Sequence, residues 1–314
     1  MKKSIVWVLI CLLLLFVLGC GAKQEEQKEE PVSPLLWKVT DGDGHTMYLF
    51  GTIHVGDERS NAVLEKLSPV LESCDALAVE FDVVAYENDL AAAAQDMLRF
   101  MLTDGTTIED HMPAELYERA YTLLDEAGLY PGMMKYYNLQ MWAQLVETAA
   151  ITTHSDLDAE HAMDSLLINC AYEKKIPVWD VESASYQMEL LNSLSDEACL
   201  LQIQTTLDSL GAYRVSLNIM YRLWLSGDRD AFWKLVAAET DGTIDDPAAA
   251  DMADFNAVLI DERNLAMAEK AKEFMETGKT VFFAVGAAHM ANETGIVALL
   301  TAAGYTVEEI NVTP

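Results

Sequence analysis

Two stretches far apart in this chain share one arrangement: an apolar run, a glycine and, three residues on, a histidine. Met47–Phe50 is followed by Gly51 and His54, and Val281–Val285 by Gly286 and His289. An imidazole at such a place can ligate a metal or act as a general base. Carboxylates fall at similar positions. Glu80 and Asp82 close the run Ala76–Phe81, and Asp180 and Glu182 close Ile176–Val181. Two histidines and a carboxylate, with coordination positions left open, make a workable catalytic metal site. A divalent ion there lowers the pKa of its water and polarises a carbonyl. His54, His289 and Glu80 are therefore the expected ligands of a divalent cation (Mn, Co or Zn), with Glu80 either ligating or serving as general base. Arg263, in Asp-Glu-Arg-Asn, is either a surface ion-pair residue or an oxyanion stabiliser.

Spacing alone is a weak signal. With 16 Gly and 6 His in 314 residues, chance supplies about 0.3 Gly-x-x-His matches. A third match, Gly42 to His45, lies on a turn, and His45, His111, His154 and His161 read as loop or core residues. Strand context is what singles out His54 and His289. Asp82, Asp180 and Glu182 stay open between site residues and element caps. The chain has no His-Glu-x-x-His, Gly-x-Ser-x-Gly or P-loop.

The elements that must position these groups follow from periodicity. Trp37–Thr40 and Thr46–Phe50 flank Asp41-Gly42-Asp43-Gly44 and read as a hairpin, expected at a sheet edge. Helical spacing covers Ser60–Ser73, Tyr86–Leu102, Pro113–Ala127, Met134–Ile151, Ala159–Glu173, Asp196–Leu225, Phe232–Ala238, Asp251–Glu276 and Thr294–Ala303, with a loop at Thr240–Ala248. Strands are expected at Ala76–Phe81, Ile176–Val181, Val281–Val285 and Tyr305–Ile310. The alternation predicts an α/β fold: a largely parallel central sheet flanked by helices, with the N-terminal hairpin and a helical insertion over about 83–156. In such sheets ligands bind beyond the carboxyl ends of the strands, where the histidines and acids stand.

Composition bounds the rest. Lys2 and Lys3, the apolar Ile5–Val17 and Val17-Leu18-Gly19-Cys20 read as a lipoprotein signal peptide over 1–19, with Cys20 lipidated. Residues 20–34 are an acidic polar tether, and 35–314 form the folded domain. The body is thus expected at the cell membrane, on its extracytoplasmic face. A net charge of −31 speaks against nucleic acid as a partner. Cys74, Cys170 and Cys199 match no zinc motif and read as small buried residues, with one disulfide conceivable.

Several segments, in order and spacing, resemble the TraB/GumN family. They are GTIHVGD at Gly51–Asp57, VEFD at Val79–Asp82, the Asp164–Leu167 segment with KKIPVWDVES after it, WLSGD at Trp224–Asp228, DERN at Asp261–Asn264 and VGAAHM at Val285–Met290. The resemblance runs from about Leu35 to Val312. It includes the TIKI metalloproteases and, more distantly, haem-binding ChaN and the erythromycin esterases. It implies metal-dependent peptide cleavage with His54, His289 and Glu80 in the active site, and Arg263 matches an arginine of the helix before the second histidine. The family commonly has Gly where this chain has Asn292, so the turn below His289 is expected to be reshaped, although Gly295 is retained. A surface-anchored peptidase acting on a peptide substrate is the leading expectation. The alternatives are a non-enzymatic surface protein that sequesters a signal peptide or a tetrapyrrole, and a metal-free ester hydrolase.

Overall fold

The computed structural model describes residues 32–130, 132–240, 247–310 and 312. The expected signal peptide, Cys20, most of the tether and most of the Thr240–Ala248 loop lie outside the described residues.

Among the described residues six strands form one sheet: β1 (Leu36–Thr40), β2 (Thr46–Thr52), β3 (Ala76–Val79), β4 (Val178–Asp180), β5 (Val281–Gly286) and β6 (Thr306–Ile310), in the order β4-β3-β5-β2-β1-β6. The four strands β4, β3, β5 and β2 run parallel, and β1 turns back antiparallel to β2. The hairpin turn is held by Asp41, whose carboxylate accepts the N–H of Asp43 at 2.9 Å and of His45 at 2.8 Å. The hairpin is not the sheet edge, as the sequence suggested. β6 pairs antiparallel with β1 and takes that position. Leu36, Trp37 and Val39 of β1 are buried, whereas Lys38 and Thr40 are half-buried. Among these strands β1 alone is reversed, and the carboxyl ends of the others gather at one rim.

The two faces of the sheet carry separate apolar sets. Phe50, Leu77, Val79 and Phe282 pack toward one layer; Met47, Leu49, Val281, Phe283 and Val285 pack toward the other. This is the strand alternation expected of residues covered on both faces.

The helices are α1 (Arg59–Glu72), α2 (Val83–Asn88), α3 (Leu90–Met97), α4 (Ala114–Glu126), α5 (Leu139–His154), α6 (Met163–Lys174), α7 (Ala184–Leu191), α8 (Asp196–Ser226), α9 (Arg229–Thr240), α10 (Pro247–Ala257), α11 (Arg263–Glu276) and α12 (Ile296–Ala302). Two begin later than the periodicity reading, α5 at Leu139 rather than Met134 and α6 at Met163 rather than Ala159, each after a separate 3₁₀ turn, and three more differ for local reasons. The Tyr86–Leu102 helix breaks at Asp89, whose side chain caps α3 by accepting the N–H of Ala92 at 3.1 Å. The Asp251–Glu276 helix is interrupted by a π-helical turn at Val258–Glu262. The short α7, which periodicity did not find, starts on Ser183, capped through the N–H of Tyr186 at 3.1 Å. Between Val83 and His154 the described elements are helices and short 3₁₀ turns. No described helix is long and apolar enough to cross a membrane. Cys74, Cys170 and Cys199 are buried and free, and burial pushes the Cys74 thiol up to about 12.

α5 packs along α8 and is buried on nearly every side. Glu147 lies in that interface at 1% exposure, accepting hydrogen bonds from the Tyr213 hydroxyl and from Thr206 at 3.0 Å. Burial outweighs both bonds and raises its pKa to about 7. An acid whose folded pKa is raised costs stability as pH climbs from its unfolded value to its folded one. Wild-type stability should therefore fall by about 3 kcal/mol between roughly pH 4.5 and pH 7 from this group. Urea unfolding across that range should show the decline, and Glu147→Gln should remove it.

Candidate active site

β2 and β5 lie side by side in parallel register, with Thr52 opposite Gly286. The two Gly-x-x-His segments therefore leave the sheet at the same rim, although their histidines are 235 positions apart. Gly51 permits the approach. A Cβ there would lie 2.8 Å from the Ala287 Cα, closer than packing allows. Gly286 has a different task. Its backbone (φ −48°, ψ 138°) suits any residue, but a Cβ would sit 3.2 Å from Glu80 Oε1, 3.5 Å from His54 Nε2 and 3.6 Å from His289 Cδ2. The three side chains converge on the space that glycine leaves open.

Each ring is turned by a partner on Nδ1. His54 Nδ1 is 2.8 Å from Asp164 Oδ2, and the other carboxylate oxygen accepts the Thr52 hydroxyl at 2.6 Å. The His54 loop is fastened at several points. Gly56 and Asp158 exchange backbone hydrogen bonds at 2.8 Å, and the Met163 N–H reaches the Ile53 carbonyl at 2.9 Å. From α8, Trp224 Nε1 donates to the Gly51 carbonyl at 2.8 Å, and the Tyr221 hydroxyl donates to Asp57 at 3.1 Å. His289, on a 3₁₀ turn after β5, has Nδ1 2.7 Å from Asn264 Oδ1. Asn292 stands in the turn beyond it. That residue adopts φ 64°, the left-handed conformation that Gly favours and Asn tolerates best among the others.

Glu80 is buried and fully engaged. Oε1 accepts the Gly286 N–H at 2.8 Å, and Oε2 accepts Gln187 Nε2 at 2.7 Å and Arg263 Nη2 at 2.8 Å. Arg263, 2% exposed, also donates from Nη2 and Nε to Glu182 at 2.7 and 3.1 Å, and from Nη1 to the Leu259 carbonyl at 3.2 Å. The π-helical turn immediately precedes Arg263 and Asn264, which lead α11 toward Glu80 and His289 respectively.

These contacts polarise the rim. Burial alone would push Glu80 up, but Arg263 first, then the histidines and the Gly286 N–H, hold it well below the usual carboxylate range. Burial also opposes charge on His54, yet Asp164 and then Glu80 outweigh it and raise His54 to about 9. In His289 burial and the Arg263 charge act together, against Glu80, and lower it to about 3. Burial raises Glu182, with Arg263 opposing.

The structure thus brings His54, His289, Glu80 and Arg263 together, and Glu182 joins through Arg263. Asp82 and Asp180 stand apart: Asp82 caps α2 and accepts from Tyr172, and Asp180 accepts the Asp82 N–H at 2.8 Å. His45 is bound to Asp41, and His161 to Asp158. Sequence reasoning did not single out Asp164, Asn264 or Gln187. The first two lie inside motif segments and could have been taken from them; Gln187 lies on the helix that periodicity missed. The two Nε2 atoms and Glu80 Oε1 are the donors a metal would find, with His289 Nε2 3.8 Å from Glu80 Oε1. Among the described residues, no group of three His, Cys, Asp or Glu side chains is already gathered at metal-holding spacing.

The chain belongs to the TraB/PrgY/gumN family, whose model matches residues 35–309. The chain is similar to the uncharacterized protein YbaP of Escherichia coli (strain K12) and to that of Shigella flexneri. Each is 26% identical over 268 residues, which covers 84% of this chain and 92% of the relative. No solved structure matches it at comparable significance.

Removing Arg263 leaves two buried carboxylates unpaired. Arg263→Ala should cost about 3–5 kcal/mol in urea unfolding, whereas loss of the exposed Arg229–Glu309 pair should cost at most about 1 kcal/mol.

Proposed function

We propose that this protein is a lipid-anchored, extracytoplasmic hydrolase, metal-dependent and acting on peptides. The observation that carries the reading is the convergence of His54 Nε2, the His289 ring and Glu80 Oε1 on the open face of Gly286. Both imidazoles have Nδ1 already occupied by an oxygen partner, which is how metal-bound histidines are usually oriented. The donor set, two ring nitrogens and a carboxylate oxygen, fits a divalent ion such as Mn, Co or Zn. When bound, such an ion supplies a water that ionises near neutrality and a Lewis acid for the scissile carbonyl.

The chain's own residues divide the remaining work. Glu80, held ionised by Arg263 and Gln187, is better suited to ligation and charge balance than to carrying a proton. Arg263 commits four of its five N–H groups to Glu80, Glu182 and Leu259, so its part is to fix Glu80 in place rather than to reach the substrate. Gly286 keeps the floor open. Lipidation at Cys20 would hold the domain outside the membrane, as the N-terminal sequence suggests.

A second reading has its own support. His54 and His289 are pushed to opposite ends of the imidazole range, about 9 and about 3. His289 is the neutral ring of the two and stands beside Glu80, the histidine and glutamate pairing that a metal-free ester hydrolase would use.

A peptide library and ester substrates, each assayed with and without added Mn²⁺, Co²⁺ or Zn²⁺, separate the two. Metal-stimulated peptide cleavage, abolished in His54→Ala and His289→Ala, is the expected outcome. Gly286→Ala, whose backbone can stay as it is, should lower kcat/KM by about 100-fold without changing the fold. Activity unchanged in both histidine variants would remove the hydrolase reading altogether.

A further inference from the structure

We propose that Asp164 and Asn264 are positioning residues that set the tautomers of His54 and His289, so that each ring, when neutral, carries its proton on Nδ1 and turns a bare Nε2 toward Gly286. The purpose of that arrangement rests on the hydrolase reading above; the geometry behind it does not.

An imidazole nitrogen facing an atom that can only accept must itself carry the hydrogen. Asn264 Oδ1 is such an atom, 2.7 Å from His289 Nδ1, and both side chains are buried. Asp164 is another. Its carboxylate takes His54 Nδ1 at 2.8 Å and the Thr52 hydroxyl at 2.6 Å, and it lies in the first turn of α6, where the helix dipole favours negative charge. Neither partner is free to move. Asp164 is 9% exposed and sits one residue after Met163, whose N–H is tied to the carbonyl of Ile53 in the His54 loop. Asn264 is 0% exposed, directly after the π-helical turn and beside the anchored Arg263.

The two partners are not interchangeable. Glu80 and Glu182 already share the Arg263 guanidinium and Asp164 adds a third carboxylate at His54, so an amide orients His289 without adding a fourth negative charge. Asn264 Nδ2, with no hydrogen-bond partner, marks the alternative arrangement. Rotating the amide would present that N–H to His289 and force the proton to Nε2. The proposal and its rival therefore differ in one measurable proton.

Nitrogen-15 NMR of the full-length, metal-free chain labelled at histidine reads that proton directly. It is recorded at about pH 10, above the value of about 9 for His54, with His54→Gln and His289→Gln used for assignment. Both rings should give a pyrrole-type Nδ1 and a pyridine-type Nε2. Asp164→Ala should average the two signals of His54 alone, and Asn264→Ala those of His289 alone. Asp164→Asn, which keeps an acceptor oxygen, should restore the His54 pattern. A proton on Nε2 of either ring in the wild type overturns the assignment, even if the variants fail to fold. So does a ring whose signals ignore the loss of its partner. Titration with Co²⁺ separates this from the functional reading: binding weakened about 10–100-fold in each Ala variant supports both. No Co²⁺ binding, together with the expected tautomers, would count against the metal and leave the positioning role standing.

Discussion

A carboxylate taken out of water costs several kcal/mol unless its charge and lone pairs are met, and the rim of this molecule is arranged around meeting those of Glu80. The backbone N–H of Gly286 comes from β5, Gln187 from α7 and Arg263 from α11. Arg263 then needs Glu182, beyond β4, to complete its own hydrogen bonding. One buried side chain thus ties the ends of three strands and two helices into a fixed relation. With Asp164 included, three carboxylates stand against one guanidinium. Of these, Asp164 and then Glu80 are what raise His54 against its burial, and a divalent cation would meet the same negative charge. The metal-bound and proton-bound readings are two answers to one electrostatic imbalance.

The repeated Gly-x-x-His pattern gains its meaning from the sheet. β2 and β5 are neighbours in parallel register, so equivalent positions of the two segments emerge side by side. The glycines serve unlike ends. Gly51 lets the two strand ends touch, and Gly286 keeps a space among three reactive side chains. What looks like a duplicated motif is one requirement for close approach and one for emptiness. Around them, Trp224 and Tyr221 of α8 brace the first segment from outside the sheet.

Much of this was legible in the residues. Apolar runs of strand length ending in glycine or acid marked β2, β3, β4 and β5, and with them the rim. The hydrophobic period found most helices. The partner of β1 was not legible, because strand order depends on how the chain returns after α12 and not on any local pattern. The break at Asp89 and the π-helical turn at Val258–Glu262 were hidden as well: caps and an extra residue per turn leave the apolar spacing nearly intact. At the site, His54, His289, Glu80 and Arg263 could be named from strand context and resemblance. Asp164 and Asn264 stood inside motif segments without being singled out, and Gln187 lay on a helix that periodicity missed, since an orienting side chain has little signature until the group it orients has been placed. Asn292 takes φ 64°, a left-handed conformation for which glycine is the common choice and asparagine the next.

The central claim is that His54, His289 and Glu80 share one cation-accepting space over Gly286. Anomalous diffraction from crystals grown with Mn²⁺, Co²⁺ or Zn²⁺, collected at the metal's absorption edge, tests it most directly. The account expects one strong peak bounded by the two Nε2 atoms and Glu80 Oε1. A peak elsewhere on the acidic surface, with none at this rim, would contradict it.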